Sequence, residues 1–407
     1  MKGHALNSSA GFLILFLIHL QILLALTQPT CPVHTIHHHF KIDSRSTTVP
    51  QLKIHQRQHT MDPFAKHTIV PFMGRLWRHD TPTTAMEFTL VTYNILAQMY
   101  TKHLKLSDMK VVDWSVRKQR LLDELKSYQS DIVCLQELDM YKKHWLGVMS
   151  EIGFDSTHVE KTGKRNGCGT FWKRDRFEKV GHLALPLEEL YHLIEKHVDE
   201  RFARRDVANL TLLREFESGK LMLIVNNHLA WDPEYPEVKL CQIFYVLKAT
   251  HRFLRNLERN GQPVSVVLCG DFNSLPGSEV YDLITTGRAT IPGRYVHFKA
   301  PLFAEGIQVT NSRKQILVNP FTPAKSAYYE VFRKEPSFTN YETEFNGTLD
   351  YVFTFEFNDV EQVEPQTPLR AINALEEVSL QAVQEYTTLP SYAFPSDHIA
   401  QCVKLSW

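Results

Sequence analysis

The chain has 407 residues, 43% hydrophobic and 11% aromatic, enough to bury a sizeable core in one large or two modest domains. Lys+Arg and Asp+Glu number 45 each, so the formal net charge is zero, which excludes a nucleic-acid binder that works by bulk positive charge. The six cysteines, Cys31, Cys134, Cys168, Cys241, Cys269 and Cys402, contain no C-x-x-C pair and offer neither a zinc ribbon nor a disulfide framework; a reducing compartment fits them better than secretion.

Residues 1–85 read as a hydrophobic leader or anchor followed by a disordered linker. Gly11 to Leu26, GFLILFLIHLQILLAL, is apolar apart from His19 and Gln21. It is shorter than the roughly 20 apolar residues of a membrane helix and has the length of a signal-peptide core. No acid precedes Asp43, as in mitochondrial presequences, but the run is apolar all round rather than amphipathic. A membrane anchor, a mitochondrial leader and a secretory signal are all open, and the cysteine pattern counts against the last. Any membrane contact is expected through residues 11–26. His37, His38 and His39 read as a solvated tract, since nothing holds them at ligand distances.

From Met86 to residue 407 the pattern is that of a folded catalytic domain. Phe88 and Leu90 alternate along a first strand. Asp113 is placed to cap a helix whose apolar stripe is Leu121, Leu122, Leu125 and Tyr128. DIVCLQEL, GCGTFWKRDRF, LMLIVNNHLAW and SVVLCGDFN read as buried strands that end in polar residues. VKLCQIFYVLKATHRFLRNLERN reads as a second amphipathic helix, and GTLDYVFTFE and SDHIAQCVKLSW as late strands. The order is mixed α/β, with strands apolar on both faces over part of their length, hence in the middle of layered packing. There is no repeat of solenoid period.

One feature recurs: an apolar strand ends and the next polar residues can bind metal or phosphate. Asn94 follows LVTY, and Gln136 and Glu137 follow DIVCL. Asn226 and His228 follow LMLIV, and Asp271 and Asn273 follow VVLCG. Asp350 precedes YVFTF, while Asp397 and His398 precede IAQCVKL. Singly, each is as well read as a cap, a turn residue or a half-buried histidine. Together, if the six strand ends converge, they form a set of carboxylates, amides and imidazoles without thiolates. Such a set suits Mg2+ or Mn2+ and phosphoryl transfer, where positioning and charge neutralisation dominate.

The ordered segments YNILAQ, DIVCLQEL, NNHLAWDPEYPEVKLCQ, CGDFNSLPGS, FTNYETEFNGTLDYVF and PSDHIA resemble the endonuclease/exonuclease/phosphatase superfamily, in the branch of carbon-catabolite-repressor-type deadenylases, nocturnin and Angel. The resemblance runs from about Phe88 to Leu405. It implies a four-layer α/β sandwich, two mixed β-sheets face to face and flanked by helices. It also implies a Mg2+-dependent phosphodiesterase, foremost a 3′-to-5′ exoribonuclease that prefers poly(A) and releases 5′-nucleotides. Glu137 is then the main metal ligand, Asn94 supports a metal or a phosphate oxygen, and Asp397 is a ligand at a second metal position. Asp271 activates the attacking water, Asn273 and His228 hold the phosphate, and Asp350 orients His398. Pro233 and Phe345 match positions that pack on adenine, which implies single-stranded RNA with adenine-rich 3′ ends.

Asn226 and Arg165 are the remaining candidates for substrate contact. Arg165 belongs to a basic cluster with Lys161, Lys164, Lys173, Arg174 and Arg176, followed by Arg201, Arg204 and Arg205; the cluster reads either as a nucleic-acid track or as a solvated face. No leucine-rich repeats precede the domain, which puts recruitment into the large deadenylase complex in doubt. The rival readings are a phosphohydrolase of the same fold acting on a small dinucleotide such as NADPH or on a phospholipid, and a catalytically dead RNA-binding module.

Overall fold

Strand β1, Glu87–Asn94, shows how the molecule is layered. Its side chains alternate, so Phe88 and Leu90 enter one apolar cluster while Val91 and Tyr93 enter another on the opposite face. The same division recurs in β2 (Ile132–Gln136), β3 (Phe154–Glu160), β4 (Gly167–Lys173), β5 (Phe177–Pro186), β6 (Val207–Glu215), β7 (Leu221–His228) and β8 (Val264–Asp271). The short β9 (Lys325–Ser326), then β10 (Asp350–Phe357), β11 (Arg370–Ala374) and β12 (Gln401–Ser406) complete two six-stranded sheets. This computed structural model describes Trp77 and residues 86–407, except 105, 107, 195–199, 258–261, 293–295, 300, 304, 311–313, 358–367 and 387. The apolar run at 11–26, the histidine tract and the proposed boundary at residue 85 lie outside the described residues.

The first sheet has the order β11-β12-β1-β2-β4-β3, and the second β9-β10-β8-β7-β6-β5. Both are mixed. The central pairs β1/β2 and β7/β8 are parallel, whereas β12 and β10 run antiparallel beside β1 and β8. The sheets pack face to face through Phe88, Leu90, Cys134, Ile224, Val267, Cys269, Val352 and Val403. Helix α1, Trp114–Ser127, covers the outer face of the first sheet. Asp113 caps it by accepting from Ser115 N–H, a contribution of about 1 kcal/mol. Its Leu121, Leu122 and Leu125 meet Val91, Tyr93, Val133 and Leu135. Helix α2, Pro236–Arg255, begins on a proline that needs no N–H donor there and covers the second sheet against Leu223, Val225, Val266 and Leu268. The expected four-layer sandwich is the one observed. Among the described residues no helix is long and apolar enough to cross a membrane.

This topology positions the site. The carboxyl ends of β1, β2, β7 and β8 and the amino ends of β10 and β12 fall at one edge, because the last two strands run opposite to the first four. Register pairs Asn94 with Gln136, His228 with Asp271, and Asp350 with Asp271. Gly270 permits the close approach of β7 and β8: it has φ +129°, and a Cβ there would lie 2.0 Å from the Asn227 carbonyl oxygen.

Candidate active site

Asn94, at the end of β1, joins the two sheets. Its Nδ2 donates to Asp271 Oδ2 at 2.9 Å, from the first sheet to the second, and lies 3.4 Å from Glu137 Oε1. Its Oδ1 accepts from Leu96 N–H, and Ala97 N–H in the same turn donates to Glu137 Oε2 at 2.8 Å. Glu137 itself has φ +53° and Asn273 φ +48°, left-handed values that cost a non-glycine residue about 1 kcal/mol or more. Both are candidate site residues; the turns that aim their side chains hold the strain.

Asp271 lies under two imidazoles. His228 Nε2 is 3.6 Å and His398 Nε2 3.7 Å from its Oδ2, while its Oδ1 accepts from Asn273 N–H at 2.9 Å. Burial and the neighbouring Asp350 push the Asp271 carboxyl up to about 7. His398 Nδ1 faces Asp350 Oδ2 at 2.8 Å, and Thr339 Oγ1 donates to the same oxygen at 2.7 Å. Burial disfavours the His398 imidazolium, but Asp350 and Asp271 outweigh it and hold its pKa well above that of an ordinary imidazole. His228 shares Asp271 but has no second carboxylate on its Nδ1 among the described residues: burial, Lys161 and His398 hold it well below that range, so it is neutral.

A cavity of about 490 Å³ opens over these groups. Glu137, His228, Asp271, Asn273, Asp397 and His398 line its polar part. Trp231, Pro233, Leu275 and Phe345 form an apolar wall, and Trp231 is 67% exposed there. Glu137 is pushed up by burial and then by Asp397, so two carboxylates repel each other across a desolvated space. That repulsion, with amide oxygen nearby and no thiolate lining the cavity, fits a hard divalent ion. Asp271, Asp350 and His398 also offer ligand atoms within 4.8 Å of one another. In that trio His398 Nδ1 is already engaged by Asp350, so the Glu137–Asp397 side is the better place for a cation.

Of the expected residues, Asn94, Glu137, His228, Asp271, Asn273, Asp350, Asp397 and His398 come together, with Pro233 and Phe345 on the wall. Asn226 does not join them. It is fully buried between the sheets, accepting from Gln136 Nε2 and donating to the Leu135 and Gly169 carbonyls, so it bridges the sheets and cannot reach substrate. Arg165 is exposed on the turn between β3 and β4 and does not line the cavity. Five members of the basic cluster are held by carboxylates: Lys161 is buried and paired with Asp206 at 3.0 Å, Arg174 pairs with Asp155, Arg176 with Asp131, Arg201 with Glu237 and Arg204 with Asp232.

Sequence reasoning missed three residues. Trp231 and Lys239 lie within the WDPEYPEVKL segment that carries the resemblance and line the cavity. Arg117, fully buried on α1, donates to the carbonyls of Ile95, Leu96 and Pro395 and to Gln98 Oε1. It ties the turn after β1, whose Ala97 N–H holds Glu137, to the segment that carries Asp397 and His398. Nothing in its local helical pattern distinguishes it from a solvent-facing arginine.

The sequence pattern of the Endonuclease/Exonuclease/phosphatase family matches residues 91–398. Carbon catabolite repressor protein 4 homolog 4 of Arabidopsis thaliana is 29% identical over 350 residues, which cover 78% of this chain and 76% of that protein. The CCR4-Not complex 3'-5'-exoribonuclease subunit Ccr4 of Saccharomyces cerevisiae is 27% identical over 342 residues, 77% of this chain but 38% of that protein. The crystal structure of ANGEL2, a 2',3'-cyclic phosphatase, in complex with adenosine-2',3'-vanadate shares the fold with a TM-score of 0.64 at 23% identity, over 81% of this chain and 98% of that one. The human Nocturnin catalytic domain with bound sulfate has a TM-score of 0.55 at 21% identity, over 83% and 99% of the two chains. The family match starts within β1 and ends on His398, so it takes in every strand end that carries the cluster, and the chain belongs to the endonuclease/exonuclease/phosphatase family, as a hydrolytic enzyme of the nuclease and phosphatase kind.

Proposed function

We propose that the chain is a divalent-metal-dependent 3′-to-5′ exoribonuclease that shortens single-stranded, adenine-rich RNA ends and releases 5′-nucleotides. The observation that carries this reading is the cavity itself: an acid–imidazole floor continuous with an apolar wall of Pro233, Phe345 and Trp231. An unstacked base fits the wall while its phosphate reaches the floor. The 29% identical Arabidopsis relative supports the branch. The yeast relative is named a 3'-5'-exoribonuclease subunit, although this chain spans only about two fifths of its length.

Asp271, with its carboxyl near 7, is suited to take the proton of the attacking water at neutral pH. The new P–O bond forms as the bond to the upstream 3′-oxygen breaks, and that oxygen takes a proton from solvent. The His398 imidazolium, held by Asp350, faces the charge that develops on the phosphoryl oxygens. Neutral His228 and the Asn273 amide supply further donors; Asn273 Nδ2 now rests on the Leu229 carbonyl. Enzymes of this family generally require a divalent metal; Mg2+, with Mn2+ as a substitute, would be held by Glu137 with Asn94 and Asp397 beside it and neutralises phosphoryl charge when bound.

The test is to incubate the chain with Mg2+ and, in separate reactions, labelled oligo(A), oligo(U), NADPH and sphingomyelin. A ladder descending from the 3′ end of oligo(A), absent in Asp271→Asn, is expected. Loss of NADPH or sphingomyelin alone would replace this reading with small-substrate hydrolysis, and retention of RNA without cleavage would replace it with a binding module.

A further inference from the structure

Among the described residues three lysines are buried. Lys161 is neutralised by Asp206, and Lys248 donates to the Glu305 carbonyl away from the cavity. Lys239, in the first turn of α2, is different. It is 6% exposed, it lines the cavity, and its Nζ donates to the Asn273 carbonyl at 2.8 Å. Among the described residues no carboxylate lies within 4 Å of its ammonium. It is also the one Lys or Arg side chain among the cavity-lining residues, beside five carboxylates: Glu137, Asp271, Glu279, Glu342 and Asp397. Burial pushes its pKa down, opposed by Asp271 and Asp232.

A desolvated ammonium with only a neutral partner is costly, and an anion entering the cavity relieves that cost. One N–H is given to Asn273, which leaves two for a ligand. The scissile phosphate, on the reading above, is claimed by His228, Asn273 and His398. Lys239 stands outside ion-pair range of Asp271, holds a carbonyl of the loop that follows it, and lines the same cavity as Pro233 and Pro236. We infer that Lys239 is a second phosphate subsite, which holds the phosphodiester one nucleotide upstream of the bond that is cut and so favours chains that carry two consecutive phosphates over those with one. This inference rests on the exoribonuclease reading and names what the same cavity recognises beyond the reacting phosphate. A positively charged grip at one fixed distance lets the cavity select a polynucleotide end without a basic surface, consistent with the zero net charge of the chain.

The experiment uses ApA and pApA analogues whose scissile 3′-oxygen is replaced by methylene, so that neither is cleaved. They differ by one phosphate. Calorimetric titration of the full chain in Mg2+ gives their affinities. Wild type should bind the pApA analogue about 10-fold more tightly, as a charge-assisted hydrogen bond allows. Lys239→Met should bring the ratio to near one, and Lys239→Arg should restore most of it. A wild-type ratio near one overturns the inference, as does a Lys239→Met variant that weakens both ligands by the same factor; the latter marks a lysine that merely props Asn273. If the ratio depends on Lys239 while natural pApA is never cut, the subsite stands and the exoribonuclease reading falls.

Discussion

Asp350 and His398, 48 residues apart in the chain, are joined by a 2.8 Å hydrogen bond between Oδ2 and Nδ1. They sit at the amino ends of two strands in different sheets, β10 and β12, and the bond points the other ring nitrogen at Asp271. Asp350→Asn removes the charge that keeps His398 protonated and leaves its size unchanged. The variant should fold normally and lose kcat by about a hundred- to ten-thousand-fold with little change in KM, measured by steady-state release of 5′-nucleotide.

Glu137→Ala takes away one of the two mutually repelling carboxylates. Mn2+ binding, followed by electron paramagnetic resonance without substrate, should weaken by at least about tenfold. Mg2+-dependent turnover should vanish together with it, and chelation of the wild type by EDTA should reproduce the loss. Unchanged Mn2+ affinity in Glu137→Ala would remove this residue from the metal site.

Phe345 is 37% exposed on the cavity wall, where a core aromatic would be covered. If it stacks on a base, Phe345→Ala should cost about 1–3 kcal/mol of base-dependent binding. The ratio of kcat/KM on oligo(A) to that on an abasic-ended oligomer should fall accordingly. Equal loss on both substrates would show that Phe345 only supports the loop.

Arg117→Met empties a buried position whose donors meet three carbonyls and the Gln98 side chain. About 3 kcal/mol of stability should be lost, read from the urea midpoint. At temperatures where the variant remains folded, its half-saturating Mg2+ concentration should rise, because the two segments that bring Glu137 and Asp397 together are no longer tied.

His158 stacks on Tyr141 at 4.3 Å between ring centroids, and its Nε2 is buried without a partner among the described residues. Burial lowers its pKa from 6.5 to about 4. Above 6.5 both folded and unfolded chains hold it neutral, so its contribution is complete. On acidification from 6.5 to about 4 the unfolded chain takes a proton that the folded one refuses, and stability falls by at most about 3 kcal/mol before levelling off. His158→Phe should flatten that part of the stability–pH curve obtained by chemical denaturation, and an unaltered curve would show that another group is responsible.

The layers and most of the site were legible in the chain because they depend on local properties. Alternation along Phe88–Tyr93 and the apolar run Val264–Cys269 mark strands buried on both sides, and a polar residue where such a run stops has few places to go but the sheet edge. The basic cluster stayed open between a nucleic-acid track and a solvated face for the converse reason. A charge in sequence says nothing of its partner, and Asp206, Asp131, Asp155, Glu237 and Asp232 come to their arginines and lysines from other elements.

The amino-acid order by itself determined a mixed, layered α/β arrangement and nominated the polar strand ends, since side-chain period and residue chemistry are carried by each short segment; the four-layer sandwich was implied by the resemblance. Only the tertiary structure decided which nominees face the cavity. Asn226 and His228 are two residues apart and share one face of β7, yet the first lies deeper and is spent on Gln136, while the second reaches the rim and meets Asp271. Depth within a sheet, and whether a buried charge such as Lys161 or Lys239 finds a carboxylate, depend on what the opposing sheet and helix bring alongside, and no local pattern encodes that.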